Sequence, residues 1–180
     1  QLEEQGIPTH FVKEIDDRKT VVKKVDIIPL EVIIRNRAAG SFSKRLGIPE
    51  GSDLRCSTLE FSYKDDDLGD PLINSYMAKA IGAATQEEID VITDYAFRVN
   101  DLLKSFFKGI GIELIDFKLE FGKTADGTIV LADEISPDTC RYWDMETGEH
   151  LDKDRFRRDL GDPEGAYKEV FARMGFTEAD

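Results

Sequence analysis

The sequence predicts an α+β fold, a mostly antiparallel sheet with flanking helices. Three observations point to it. Strand patterns come in runs with helices interspersed, rather than in strict alternation. The alternating stretch "LIDFKLEFG" is followed by Asp126-Gly127 and then by "IVLADEIS", a hairpin signal. From about Gln86 to Lys108, apolar residues recur at helical spacing.

Each element has its own local reason. "QLEEQG" reads as the last turn of a helix closed by a glycine cap at Gly6, so the chain is expected to start partway into a longer protein. "THFVKEID" and "TVVKKVDII" read as strands joined by a turn at Asp16–Lys19. Pro29 is expected to interrupt before a further strand, "LEVIIRNRA". "GSFSKRLG" predicts a short helix that opens at Gly40–Ser41 and stops at Gly47. "CSTLEFSYK" predicts another strand, and the acidic loop "DDDLGDP" follows it. An irregular helix is expected over Asn74 to Ile81.

The long helix is the clearest element. Thr85 and Glu88 form a capping box, and Ile89, Ile92, Ala96, Val99, Leu103 and Phe106 supply its apolar stripe. Gly109 and Gly111 end it. Two more helices are expected near Asp154–Leu160 and Glu164–Met174.

Composition bounds the function. The chain has 180 residues, 41% hydrophobic and 34% charged, which is a globular balance. Its net charge of −13 argues against general binding to nucleic acid or to anionic membranes. It does not forbid a small anionic ligand held by a few local arginines. Cys56 and Cys140 lie far apart in no metal-ligand spacing, and with His10 and His150 they make no zinc pattern. No apolar run is long enough to span a bilayer and no signal peptide is visible, so a cytoplasmic location is expected.

Two stretches carry chemistry. In "LIDFKLEFG", Ile115, Phe117, Leu119 and Phe121 share one strand face, and Asp116, Lys118 and Glu120 share the other. A two-residue turn at Asp126-Gly127 would place Glu120 opposite Asp133. Carboxylates that close repel unless one is protonated or a cation sits between them. Magnesium suits such an all-oxygen site with bound phosphates. The same alternation also fits a strand with a solvated outer face. In "RNRAAGSFSKRLG", Arg35 and Arg37 precede a Gly-Ser that opens a helix, a plausible grip for a phosphomonoester. Pairing of those arginines with surface acids is the plainer alternative. In "DEISPDTCRYWD", Pro137 stiffens a turn that can return Arg141 to the same end of the hairpin. Tyr142 and Trp143 read as packing residues.

Together, "IIPLEVIIRNRAAGS", "LIDFKLEFG" and "LADEISPDTCRYWD" resemble the motifs of the SAICAR synthetase (phosphoribosylaminoimidazole-succinocarboxamide synthase) family. The resemblance runs from "GIPTHFV" to "AYKEVFARMGF". It implies a two-lobed fold related to protein kinases and ATP-grasp ligases. It also implies an ATP-dependent ligase of purine biosynthesis, joining L-aspartate to carboxyaminoimidazole ribonucleotide through an acyl phosphate. ATP and Mg2+ are the implied cofactors, and a homodimer is compatible with it.

By position, Glu120 and Asp133 match the family's magnesium-binding acids, and with Lys118 they would meet the nucleotide phosphates. Asp116 and Lys118 match catalytic positions beside those phosphates and the imidazole substrate. Arg35, Ser41 and Arg141 match the group that holds the ribonucleotide phosphate. Lys64 and Asp70 match a loop that touches aspartate or the imidazole end, and "KKVDIIPLE" would be a hinge whose backbone meets adenine. The family's strand-rich nucleotide lobe finds no match here and is expected to be missing or truncated. Residues 1–28 would be its remainder and the hinge, and 29–180 the C-terminal substrate and ATP-binding lobe. The alternatives are a non-catalytic ribonucleotide-binding fragment and a kinase-like phosphotransferase acting on another small substrate.

Overall fold

The computed structural model describes residues 2–16, 18–152, 154–157 and 163–176. After a 3-10 turn at Glu3–Gln5 come β1 (Phe11–Asp16), β2 (Lys19–Val22), β3 (Asp26–Arg37), α1 (Gly40–Leu46) and β4 (Asp53–Tyr63). A second 3-10 turn at Asp66–Leu68 leads to β5 (Leu72–Ile73), α2 (Ser75–Ala80) and α3 (Gln86–Gly109). The chain then forms β6 (Ile112–Lys123), β7 (Ile129–Leu131), β8 (Cys140–Asp144), α4 (Asp154–Arg157) and α5 (Pro163–Arg173). The main sheet has the order β5-β4-β3-β6-β7, with β8 also pairing β6, and β1 and β2 form a separate ribbon. The pairs β1/β2, β4/β5, β6/β7 and β6/β8 are antiparallel. The α+β prediction therefore holds.

The residues group into two compact units built from interleaved segments. One comprises Gln1–Ile34, Leu59–Asn100 and Lys118–Glu134. The other comprises Arg35–Thr58, Asp101–Phe117 and Ile135–Asp180. In the first, the inward face of β3 (Ile28, Leu30, Val32) and Leu119 and Phe121 of β6 are buried, as are Ile89, Ile92 and Ala96 of α3. In the second, Ile115, Phe117, Phe107, Tyr142 and Leu151 are buried, and the Phe107 and Tyr142 rings lie 4.5 Å apart. Each such large side chain contributes about 1.5–3 kcal/mol on burial. Tyr142 is thus a packing residue, as its sequence context suggests.

Local signals placed the helices well. Thr85 and Glu88 close the predicted box on α3: Thr85 N donates to Glu88 Oε2 at 2.8 Å and Glu88 N to Thr85 Oγ1 at 3.2 Å. Helix α1 ends at Gly47 in the left-handed region, and Asn74 caps α2 through Met77 N. The α3 stripe buries Phe107 rather than Phe106: both fit helical spacing after Leu103, but it is the Phe107 ring that packs against Tyr142. The C-terminal part of the helix expected over Asp154–Leu160, and Asp17 of the turn at Asp16–Lys19, lie outside the described residues.

Three strand expectations are corrected. "TVVKKVDII" is not one strand: β2 ends at Val22, where Lys23 turns its N–H to His10 O at 2.6 Å and its ammonium to Thr9 O. Pro29 does not interrupt β3, which runs through it. A proline lacks a donor but keeps its acceptor, and the Pro29 carbonyl accepts from Lys64 N at 3.1 Å. The β6–β7 hairpin has a three-residue loop, not a two-residue one. Thr124 N donates to Thr128 O, Gly127 adopts a φ of 86°, and the Asp126 carboxylate accepts from Thr128 N. The register becomes Phe121↔Leu131, so Ala132, not Asp133, bonds Glu120, with Ala132 N donating to Glu120 O at 2.9 Å.

Thr85→Ala is expected to lower the unfolding free energy by about 1 kcal/mol, the worth of an N-cap side chain. A urea titration followed by circular dichroism checks it.

Candidate active site

The polar face of β6 is not a solvated face. Asp116 is 3% exposed, and the Lys118 and Glu120 side chains are 30% and 14% exposed. Burial at that level demands partners, and the two units satisfy it differently.

In the first unit, Lys118 Nζ donates to Glu31 Oε1 at 2.9 Å and to Glu120 Oε1 at 3.0 Å, and Lys64 Nζ donates to the same Glu120 oxygen at 2.9 Å. Strands β3 and β6 and Lys64, the residue just after β4, thus converge on a cluster of alternating charge. Burial pulls the Lys118 ammonium down, but its bonds to Glu31 and Glu120 outweigh this and hold it above the usual lysine range. Glu120 resists the upward push of burial because two ammonium groups face it, and its pKa is lowered. The bond to Glu120 likewise raises Lys64. Glu31 is the member sequence reasoning missed. The available signal was a lone acid in the apolar run of β3, at the same strand parity as Arg35.

Asp133 belongs to this neighbourhood although the register that predicted it is off by one residue. Strand β7 ends at Leu131 and the chain bends at Asp133. Burial raises the Asp133 carboxyl, a bond from Glu134 N opposes the rise, and the charge of Glu120 adds to it. Asp133 Oδ1 accepts from Glu134 N at 2.9 Å, while Oδ2 is buried with no partner among the described residues. Glu120 is arranged alike: both lysines use Oε1, leaving Oε2 without a bond among those residues. Each acid therefore keeps one oxygen tied and offers the other. That pair of donors, hard and anionic with few other protein ligands, fits magnesium.

Lys64 and Asp70 do not act together. Asp70 Oδ1 accepts from Asp65 N at 2.9 Å and folds the acidic loop upon itself, while Lys64 reaches Glu120. Asp70 holds a φ of 49°, which aspartate tolerates better than most residues. Also in this unit, Asp26–Pro29 of the expected adenine-contacting stretch form one wall of a cleft of about 580 Å³, facing Ala83, Ala84 and Lys123.

In the second unit, Arg35 (3% exposed) donates to Asp116 Oδ2 at 2.8 Å and to Ser41 Oγ at 2.9 Å. Arg141 donates from Nη1 to both Asp116 oxygens, at 2.9 and 3.0 Å, and from Nε to Asp154 Oδ2 at 2.8 Å. Asp116 and Asp154 together outweigh the cost of burying Arg141, and its pKa is raised. The expected trio of Arg35, Ser41 and Arg141 is thus brought together, with Asp116 as its shared counterion. The Ser41 hydroxyl accepts from Arg35 and so retains its own proton to donate outward. Arg37 goes elsewhere, to Glu113 at 2.6 Å and Asp53 at 3.0 Å. Helix α1 starts with Gly40 because the Arg141 guanidinium lies against it: a Cβ there would stand 2.5 Å from Nη2, and φ is 53°.

Comparison with known proteins gives one answer. The sequence profile of the SAICAR synthetase family matches residues 1–174. The chain is 67% identical over 175 residues to the phosphoribosylaminoimidazole-succinocarboxamide synthase of Lachnoclostridium phytofermentans, covering 97% of this chain and 74% of that one. Its fold matches a SAICAR synthetase (Type-2) in complex with ADP at a TM-score of 0.96 and 50% identity, over 99% of this chain and 77% of that one. It matches the SAICAR synthetase of Pyrococcus horikoshii OT3 at 0.94 and 50% identity, over 99% and 78%.

Gly40→Ala is expected to destabilise the protein by at least about 1–2 kcal/mol, the cost of a side chain in a left-handed conformation. Chemical denaturation measures this, and the clash with Arg141 adds to it.

Proposed function

The chain belongs to the SAICAR synthetase family, and we propose that its two polar clusters perform separate parts of that family's reaction. The reaction is an ATP-dependent ligation in purine biosynthesis. The carboxylate of carboxyaminoimidazole ribonucleotide takes the γ-phosphoryl group of ATP, and the amine of L-aspartate then displaces phosphate to form the amide. Neither alternative raised by the sequence is favoured by the named relatives.

The cluster of Lys118, Glu120, Lys64 and Asp133 handles the phosphoryl group. Such a transfer needs positioning and charge neutralisation more than covalent help from the protein. Lys118 is held protonated and oriented by Glu31 and Glu120. It neutralises charge that develops on the transferred oxygens. Lys64 serves the same end from just beyond β4, or steadies a substrate carboxylate once Glu120 has another partner. Glu120 and Asp133 would hold magnesium, which when bound shields the phosphate charges. The observation that carries this reading is the buried, unpartnered Asp133 Oδ2 beside an acid whose second oxygen is also available. The cleft along Asp26–Pro29 suits the adenine, with strand backbone, Ile27 and Ile28 on one side, Ala83 and Ala84 facing them, and polar groups including Lys79 and Lys123 around them. The ADP complex of a 50% identical relative supports nucleotide binding by this fold.

The cluster of Arg35, Ser41 and Arg141 holds the ribonucleotide phosphate. Arg141 Nη2 and the Ser41 hydroxyl are the donors left over once the internal bonds are made. Asp116 acts here by fixing two arginines, since both its oxygens are occupied by them.

Glu120→Gln and Asp133→Asn are each expected to lower kcat by 10²-fold or more, on the order seen when one stabilising group is removed, with a native circular-dichroism spectrum retained and some loss of stability in Glu120→Gln, which removes the counterion of Lys64 and Lys118. Turnover at the wild-type rate and with wild-type magnesium dependence in either variant would refute the metal assignment.

A further inference from the structure

Arg141 is caught in a closed ring of bonds. Its Nε donates to Asp154 Oδ2 at 2.8 Å. The Asp154 N–H donates to Asp152 Oδ1 at 2.8 Å, and Asp152 Oδ2 accepts from Tyr142 N at 2.7 Å, one residue along β8 from Arg141 itself. The ring thus returns to the backbone that carries the arginine. Asp152 and Asp154 are 0% and 2% exposed, and no bond of this ring faces water at either carboxylate.

Asp116 alone would hold Arg141 loosely. That carboxylate is shared with Arg35, and it engages only Nη1 of Arg141. A guanidinium gripped at one nitrogen can still swing about that contact. A second anion at Nε fixes the plane of the group. Gly40 closes the remaining side, lying where Nη2 would meet any Cβ. With Nε and Nη1 occupied, Nη2 is the nitrogen that has no acceptor among the described residues. His150 approaches Asp154 Oδ2 at 3.9 Å and stands outside the ring.

We propose that Asp154, locked in place by Asp152, is a positioning residue for ribonucleotide binding: it aims the free edge of Arg141 at the phosphate. This rests on the reading of Arg141 as a phosphate-holding residue, and it adds two carboxylates that never touch the ligand. Their negative charge lies behind the arginine and would repel a phosphate if exposed. Buried and bonded, they instead set the direction in which the cation presents its donors.

Calorimetric Kd values for carboxyaminoimidazole ribonucleotide and for ATP, measured on the full chain, test it in Asp154→Asn, Arg141→Ala and the double variant. Asp154→Asn is expected to weaken ribonucleotide binding by on the order of tenfold, the worth of one charge-assisted bond, and to change ATP binding less than about twofold. In the Arg141→Ala background the same change is expected to have no further effect, because Asp154 acts through Arg141. Asp154→Glu keeps the charge but cannot close the ring, and is expected to weaken ribonucleotide binding as well. It serves also if the asparagine variant does not fold. A normal ribonucleotide Kd in Asp154→Glu or Asp154→Asn, with Arg141→Ala impaired, overturns the positioning role. An undiminished effect of Asp154→Asn on top of Arg141→Ala overturns it too, in favour of a general structural role. A normal ribonucleotide Kd in Arg141→Ala overturns the phosphate reading of Arg141, and this proposal with it.

Discussion

A carboxylate buried at 3% exposure, Asp116, is the constraint around which the second unit is organised. An ionised acid removed from water costs several kcal/mol unless cations and hydrogen bonds replace the lost hydration. Asp116 obtains both from Arg35 on β3 and Arg141 on β8. Those two arginines fix other features in turn. Arg35 ties Ser41 at the start of α1. Arg141 requires a residue without a side chain at position 40. The bulge between Leu114 and Asp116, where β6 carries one residue more than β8, brings Asp116 opposite Arg141. Remove the acid and two buried guanidinium groups lose their common partner, so the cluster is cooperative rather than a sum of pairs.

The first unit solves a related problem with the opposite balance. Lys118, Lys64, Glu31 and Glu120 neutralise one another through bonds of 2.9–3.0 Å, and Asp133 is left as excess negative charge. An internally neutral cluster is stable without ligand, and among the described residues it leaves Glu120 Oε2 and Asp133 Oδ2 without a bond. The cost of keeping Asp133 in that state shows in its raised pKa. The fold tolerates that imbalance of charge.

The sequence made the local elements plain and the long-range pairings obscure. The box at Thr85 and Glu88 and the glycine stop at Gly47 are each decided within a few residues, and they were readable. The hairpin was readable as a hairpin, but Asp126-Gly127 serves two turn geometries that differ by one residue. The three-residue loop prevails because the Asp126 carboxylate bonds Thr128 N across it. Glu120 and Asp133 were therefore linked through the wrong register, although the charge of Glu120 still reaches Asp133 on the bend after β7. Burial of the polar face of β6 was not legible, since an alternating charged strand looks the same whether wet or enclosed. Glu31, Asp152 and Asp154 escaped for a shared reason. Their partners are dictated by which strands adjoin, and in the sequence each is one acid among 37 acidic residues.

The one-residue change in the hairpin has a mechanical consequence. Glu120 is pinned within the ladder, where its carbonyl receives Ala132 N. Asp133 comes just after that bond, on a bend, with its carboxylate steadied by the adjacent Glu134 N–H. One acid of the pair is therefore anchored within the strand ladder, and the other lies beyond its end. If the pair holds a cation as proposed, Asp133 is the side that can shift to fit it, and the sheet beneath does not have to deform.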